Sequence, residues 1–253
     1  MRFGYSIAAM PRITATIITL NEERRLAAAL ASLSCCDEIL VVDSGSIDRT
    51  REIAQRYGAR VLVHEWEGYS KQKNFAASQA ENDWILSVDA DEQVSAELAA
   101  EIVAWKNHSS ELAAMRMPRQ AFYLGRWIRH SGWYPDPKIR LYDRRRASWK
   151  GDFVHEAMMV SGEMGSFTSN LLHYPYRGWQ DHMERIDKYT RLAADGVRNK
   201  GDRFNPFKML LAPPLVFLKT LILQGGILDG WRGVLIAYMG ARYVFLREFR
   251  ILR

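Results

Sequence analysis

The first hundred residues alternate short apolar runs with amphipathic segments. Ile13-Thr14-Ala15-Thr16-Ile17-Ile18-Thr19 is rich in β-branched residues and predicts a first strand. Leu20-Asn21-Glu22-Glu23 predicts the start of a helix with Leu26, Leu30 and Leu33 on one face; Asn21 can cap it, and the two glutamates suit its positive end. Glu38 to Asp43, with Ile39-Leu40-Val41-Val42 inside, predicts a second strand, and Ser44-Gly45-Ser46 a turn. Asp48 caps a helix running toward Tyr57, which Gly58 ends. Arg60 to His64 reads as a strand, Tyr69 to Ala80 as a helix, Trp84 to Asp89 as a strand, and Ser95 caps a helix through Trp105.

Strands alternating with single helices predict an α/β fold: a mostly parallel sheet with right-handed crossovers and helices on both faces. Successive strands end in Thr19, Asp43 and Asp89, which therefore converge on the rim where open sheets bind ligands. After about Met115 the pattern shortens. Met115-Arg116-Met117, Phe122-Tyr123, Lys138 to Tyr142 and Ser148 to Val154 predict a small mixed-sheet region joined by Gly and Pro turns. Trp127, Trp133, Tyr134, Tyr142 and Trp149 concentrate there, as sugar platforms or as core. The organisation expected is a parallel-sheet half over 11–114, a mixed-sheet half of the same domain over 115–196, and C-terminal basic amphipathic helices over 197–253.

The chain of 253 residues is 48% hydrophobic, enough for a sizeable core and against global disorder. Adjacent Cys35 and Cys36 have no third partner, which fits a reducing compartment and argues against a disulfide scaffold or zinc site. The N-terminus lacks the long apolar core of a signal peptide, so a cytoplasmic location is expected. The net charge of +6 is uneven: from Val197 onward ten Lys or Arg face three acids, leaving the remainder near −1. A basic tail that is also aromatic and apolar points to an anionic membrane surface rather than nucleic acid. Met209 to Leu218 is apolar but carries Pro213-Pro214 and is followed by Lys219, short of the ~20 residues of a spanning helix. Trp231, Leu235, Tyr238, Phe245 and Phe249 lie near one side of a following helix, with Arg232, Arg242, Arg247 and Arg250 nearby. The pair predicts a hairpin lying peripherally on the inner membrane, or simply packed on the main domain.

Asp89-Ala90-Asp91 at the end of a buried strand offers oxygen ligands to a hard divalent cation, which can grip a diphosphate. Neither Gly-x-Gly-x-x-Gly nor a Walker-type Gly-x-x-x-x-Gly-Lys-Ser/Thr follows the first strand, so a glycine phosphate cradle is excluded.

Thr19-Leu20-Asn21-Glu22-Glu23, Val41-Val42-Asp43-Ser44-Gly45-Ser46, Asp89-Ala90-Asp91 and Val154-His155-Glu156 resemble family 2 glycosyltransferases of the GT-A fold. Gly132-Trp133-Tyr134-Pro135-Asp136, Arg140-Leu141-Tyr142 and Gly225-Gly226-Ile227-Leu228-Asp229-Gly230 resemble the lipopolysaccharide core β-1,4-glucosyltransferases within them. The resemblance implies that Thr19, Asn21 and Glu22 line the base and ribose, and that Asp43 hydrogen-bonds the base. It places Lys73 and Asn74 toward the donor, Asp89 on the ribose or donor sugar, and Asp91 on Mg2+ or Mn2+ bridging the phosphates. Glu156 falls at the catalytic acidic position, in a His155-Glu156 variant of the usual pair.

The expected activity is inverting, metal-dependent transfer of a hexose, glucose first, from a UDP-sugar to a lipid-linked glycan such as lipopolysaccharide core. The alternatives are transfer to a polyprenyl phosphate, which needs little base, a nucleotidyltransferase, and a non-catalytic nucleotide-sugar-binding module. His155 and His173 are further candidate metal ligands, and Arg144-Arg145-Arg146 is either a solvated face or a contact for acceptor phosphates or acidic sugars.

Overall fold

A computed structural model describes residues 10–107, 111–151, 156–199 and 204–252. The chain runs β1 (Ile13–Thr19), α1 (Leu26–Ala31), β2 (Glu38–Asp43), α2 (Thr50–Arg56), β3 (Arg60–Val63), α3 (Tyr69–Gln79), β4 (Trp84–Asp89), β5 (Glu92–Val94) and α4 (Ala96–Lys106). Then come β6 (Ala114–Tyr123), β7 (Arg126–Trp127), β8 (Asp136–Asp143), β9 (Ala147–Lys150), β10 (Ala157–Val160), β11 (Met164–Ser166) and β12 (Leu171–His173). Three long helices close it: α5 (Trp179–Asn199), α6 (Pro206–Leu218) and α7 (Trp231–Leu252).

The main sheet has the order β3-β2-β1-β4-β8-β6-β12-β5. Its first four strands are parallel, as the βα alternation predicts, and β8 joins β4 antiparallel. The short strands expected after Met115 mostly extend this sheet; only β9 and β10 form a separate antiparallel pair. Apolar side chains of β1, β4, α1 and α4, among them Ile13, Ile17, Leu26, Leu86, Val88, Leu98 and Ile102, form the largest core cluster at 0–1% exposure. Burying each such side chain contributes roughly 1.5–3 kcal/mol, which anchors the strand ends that carry the polar rim.

Local signals succeed where one side chain suffices. Ser95 accepts the Leu98 N–H at 3.1 Å and starts α4. Asp48 accepts the Thr50 N–H at 3.0 Å at the head of α2. Asn21, by contrast, does not cap α1. It sits in the left-handed region at φ 56° and its Oδ1 accepts the Ile47 N–H at 2.9 Å, while α1 begins five residues later. Residues 20–25 thus form a loop over the sheet rim. The segment after Asp91 forms β5, which pairs with β12.

Two compact units emerge. One holds the N-terminal part through Arg119 together with Pro137–His173; the other holds Gln120–Asp136 and Tyr174 onward. In the second unit, buried Asp229 accepts the N–H groups of Arg129 and His130, each at 3.1 Å, and the Ser131 hydroxyl at 2.8 Å. A Cβ on Gly233 would lie 1.7 Å from the Gly226 carbonyl, so α7 packs against the Gly226–Asp229 turn only because position 233 is glycine; a Cβ on Gly226 would instead meet the Thr220 carbonyl at 2.7 Å. Tyr123 donates or accepts at His182 Nδ1 over 2.7 Å inside an aromatic cluster with Trp133 and Tyr176.

The prolines do not interrupt α6. Pro213 and Pro214 lie inside it, and a π-helical turn carries it through Lys219 to Leu223. Pro206–Leu223, 18 residues of mean hydropathy 1.5, is therefore long and apolar enough to cross a membrane by length and composition, contrary to the shorter segment expected. None of the α6 side chains is buried.

Candidate functional site

Strand register builds the site. β1 pairs Thr19 with Asp43 of β2 and Ile18 with Asp89 of β4. Parallel strands lie ~4.8 Å apart, so Asp43 and Asp89 flank β1 on one rim, about two strand spacings from each other.

Three groups of side chains occupy that rim. At the β1–β2 end, Asp43 has no exposed surface. Its Oδ1 accepts the Gly45 and Ser46 N–H groups at 3.1 and 2.8 Å, and its Oδ2 accepts the Thr19 and Ser46 hydroxyls. A carboxylate with both oxygens so engaged organises the Ser44–Ser46 turn; contact with a base requires these bonds to be exchanged. Ser46 Oγ also accepts the Asn21 N–H at 2.8 Å, and Thr50 Oγ1 accepts the Glu22 N–H at 2.8 Å, so both loops are tied together. Leu20 stays half exposed beside them.

The second group centres on Asp89. Lys73 Nζ, 2% exposed, lies 3.2 Å from Asp89 Oδ1 and donates to Glu156 Oε1 at 3.0 Å. Arg140, 4% exposed, bridges Asp89 Oδ2 at 2.5 Å and Glu92 Oε1 at 2.6 Å. Glu92 is wholly buried and also takes Arg119 at 3.0 Å. Burial opposes ionisation of Asp89, but Arg140 and then Lys73 outweigh it and hold the carboxyl well below the usual carboxylate range. Lys73 also lies 4.4 Å over the Trp149 ring.

The third group is Asp91, whose Oδ2 faces Arg25 at 3.5 Å and His173 at 3.6 Å. Among the described residues no cluster of three or more His, Cys, Asp or Glu side chains is placed to hold a metal ion. A single partly exposed carboxylate nonetheless fits Mg2+ or Mn2+ of the kind that takes most of its oxygens from water and substrate phosphates.

The rim thus brings together Thr19, Asn21, Glu22 and Asp43 in one loop cluster and Lys73, Asp89 and Glu156 in another. Asn74 turns away from it. Its Nδ2 donates to the Trp149 carbonyl at 2.8 Å and its Oδ1 accepts the Trp149 N–H at 2.9 Å, so it clamps β9 to α3 rather than facing a donor. Tyr142 and Trp149 are buried core, not sugar platforms. Arg144 and Arg146 bond backbone carbonyls and Arg145, 63% exposed, pairs with Asp143 and Asp83, an arrangement compatible with the solvated face. Val154 and His155 lie outside the described residues. Arg140 and Glu92 escaped the sequence reading as site residues. The available signal was charge: three carboxylates within Asp89–Glu92 at a buried strand end demand cations from another strand.

The two cysteines are free, as expected, with sulfurs 3.9 Å apart.

The chain is 32% identical over 249 residues to the lipopolysaccharide core biosynthesis glycosyltransferase LpsC of Rhizobium meliloti (strain 1021), covering 94% of this chain and 91% of that one. Its fold is similar to that of the mannosyltransferase PcManGT from Pyrobaculum calidifontis, solved with GDP-Man and Mn2+, at TM-score 0.55 and 16% identity over 96% of this chain and 87% of that one. It is also similar to S. aureus TarS, residues 1–349, solved with UDP-GlcNAc, at TM-score 0.50 and 16% identity over 94% and 89%. These likenesses show a GT-A-like fold. The family model for glycosyl transferase family 2 matches residues 14–163, which include every rim residue named above except His173, and the chain is a member of that family of enzymes.

Proposed function

We propose that this glycosyltransferase moves a hexose, glucose first, from a UDP-sugar to a hydroxyl of a lipid-linked glycan such as lipopolysaccharide core, with inversion. The observation that carries the reading is the line Asp89–Lys73–Glu156, in which one buried ammonium joins a donor-side carboxylate to a candidate base. The name of the Rhizobium relative supports the acceptor class, the complexes of the two structural neighbours support a nucleotide-sugar donor, and the Mn2+ in the Pyrobaculum complex supports a divalent cation.

In this reading Thr19, Asn21 and Glu22 line the base and ribose, Asp43 holds their loop, Asp89 takes the donor sugar or ribose, and Asp91 holds the cation. When bound, Mg2+ or Mn2+ neutralises the diphosphate and makes it a better leaving group. Lys73 fixes the Glu156 carboxylate, which removes the acceptor hydroxyl proton. The acceptor oxygen forms a bond to the anomeric carbon, the bond from that carbon to the diphosphate oxygen breaks, and UDP leaves with that electron pair. One displacement inverts the centre and needs no covalent glycosyl-enzyme.

The second unit is read as a surface anchor on the cytoplasmic side of the inner membrane. Leu210, Leu211, Leu215 and Ile222 are 58–64% exposed, which is costly in water and favourable in lipid. α6 packs on α7, whose Arg232, Arg242 and Arg247 suit an anionic interface better than a hydrocarbon core. Attachment along the surface therefore accounts for more of this unit than spanning does.

The test is UDP release by the full chain with Mn2+, each nucleotide sugar offered in turn. Glu156→Gln is expected to lower turnover by roughly 10²–10⁴-fold with little change in donor KM. Near-normal turnover in that variant removes the base from the reading and favours a phosphate acceptor.

A further inference from the structure

An apolar groove of about 700 Å3 lies within the second unit, lined by Trp179, Phe217, Trp231, Val234 and Tyr238, with Leu124 in one wall. Trp179, Trp231, Val234 and Tyr238 stay 40–58% exposed, so α5, α6 and α7 meet around it without filling it. In the same unit Leu215, Leu218, Ile227 and Leu228 are likewise 49–66% exposed. One cation is fixed at the wall. Arg232 stacks its guanidinium 4.5 Å over the Trp231 ring and donates its Nε to the Leu124 carbonyl at 2.8 Å.

Three features select the occupant. The volume falls within the roughly 300–1,000 Å3 of small-ligand sites, too little for a docked partner helix with its row of anchors. The lining is almost wholly apolar, with tryptophans and a tyrosine of the kind found where hydrocarbon meets water. The adjoining guanidinium supplies charge complementarity to a phosphate. We infer that the groove takes one acyl chain of an anionic glycerophospholipid, whose headgroup phosphate meets Arg232. This rests on the membrane-surface reading and adds a discrete site to it. A lipid so held fixes the rotation of α7 at the bilayer, which general partitioning of α6 does not do.

The experiment mixes the full chain with phosphatidylcholine–phosphatidylglycerol vesicles containing a trace of phosphatidylglycerol with a photoreactive acyl chain, then maps adducts by mass spectrometry. Adducts concentrated on Phe217, Val234 and Tyr238 are expected. Val234→Trp fills the groove while adding apolar surface. Excluding two methylenes corresponds to roughly tenfold, so groove adducts should fall at least that much while vesicle co-sedimentation persists. A phosphatidylcholine probe should label the groove less, and Arg232→Gln should erase that preference. Vesicle binding with adducts confined to Leu210, Leu211, Leu215 and Ile222 overturns the groove and leaves surface attachment standing. Groove adducts unchanged in a natively folded Val234→Trp chain also overturn the groove. Should that variant fail to fold, the unsubstituted chain's adduct map decides. Absence of vesicle binding overturns both readings.

Discussion

Arg140→Met tests whether the rim is held by compensated charge. Methionine keeps most of the bulk and removes a guanidinium that lies 2.5 Å from Asp89 and 2.6 Å from Glu92. Removing one partner of a buried ion pair costs about 3–5 kcal/mol when nothing replaces it. Here Glu92 keeps Arg119 at 3.0 Å and Asp89 keeps Lys73 at 3.2 Å, so the lower end, about 3 kcal/mol, applies. At roughly 2–4 °C per kcal/mol for a chain of this size, Tm should drop by about 6–12 °C. The pH dependence has a definite sign. Asp89 titrates below its ordinary value of about 3.9, so its pairing adds stability above that pH and loses it as pH falls through the folded value. The gap between parent and variant should therefore be widest near neutrality and narrow below about pH 4. Scanning calorimetry at several pH values measures it. A variant melting within about 1 °C of the parent refutes the compensation argument, as does a gap that ignores pH. Adding Asp89→Asn to Arg140→Met should recover part of the loss, because it discharges one stranded carboxylate.

Burial lowers His182 to about 4, so it is neutral in the fold and cationic when unfolded at mildly acid pH. Stability should fall by up to about 3 kcal/mol as pH drops from about 6.5 toward 4, and His182→Gln should flatten that slope in pH-dependent urea melts. Ser46→Ala removes the hydroxyl shared by Asp43 and the Asn21 N–H, and should cost about 1–3 kcal/mol and raise donor KM; thermal melts and donor titrations check it. Leu211→Gln with Leu215→Gln should weaken vesicle binding at least about tenfold in co-sedimentation while Tm stays unchanged, since both side chains are already exposed.

The parallel half was legible because its signals are local. Short continuous apolar runs, Gly58 and the Ser95 cap act within a few residues, and α/β alternation then fixes the rim at which Thr19, Asp43 and Asp89 meet. The Lys73 position followed from resemblance, but its bridge between Asp89 and Glu156, 83 residues from it in sequence, did not. Asn21 was misread because one polar side chain can cap a helix or hold a loop. The Ile47 N–H, 26 residues away, decided for the loop.

The chain's own pattern therefore determined the class of fold, the strand ends and the identity of most candidate acids, all set by hydrophobic periodicity and backbone preference over short spans. Tertiary structure alone decided how the charges are matched. Arg140 and Glu92 pair across strands, Asn74 turns to a backbone it meets only in three dimensions, and α6 runs on through its prolines. The physical reason is desolvation. Water compensates a charge or amide in an open chain, and once folding removes that water the partner must come from whichever element packs alongside.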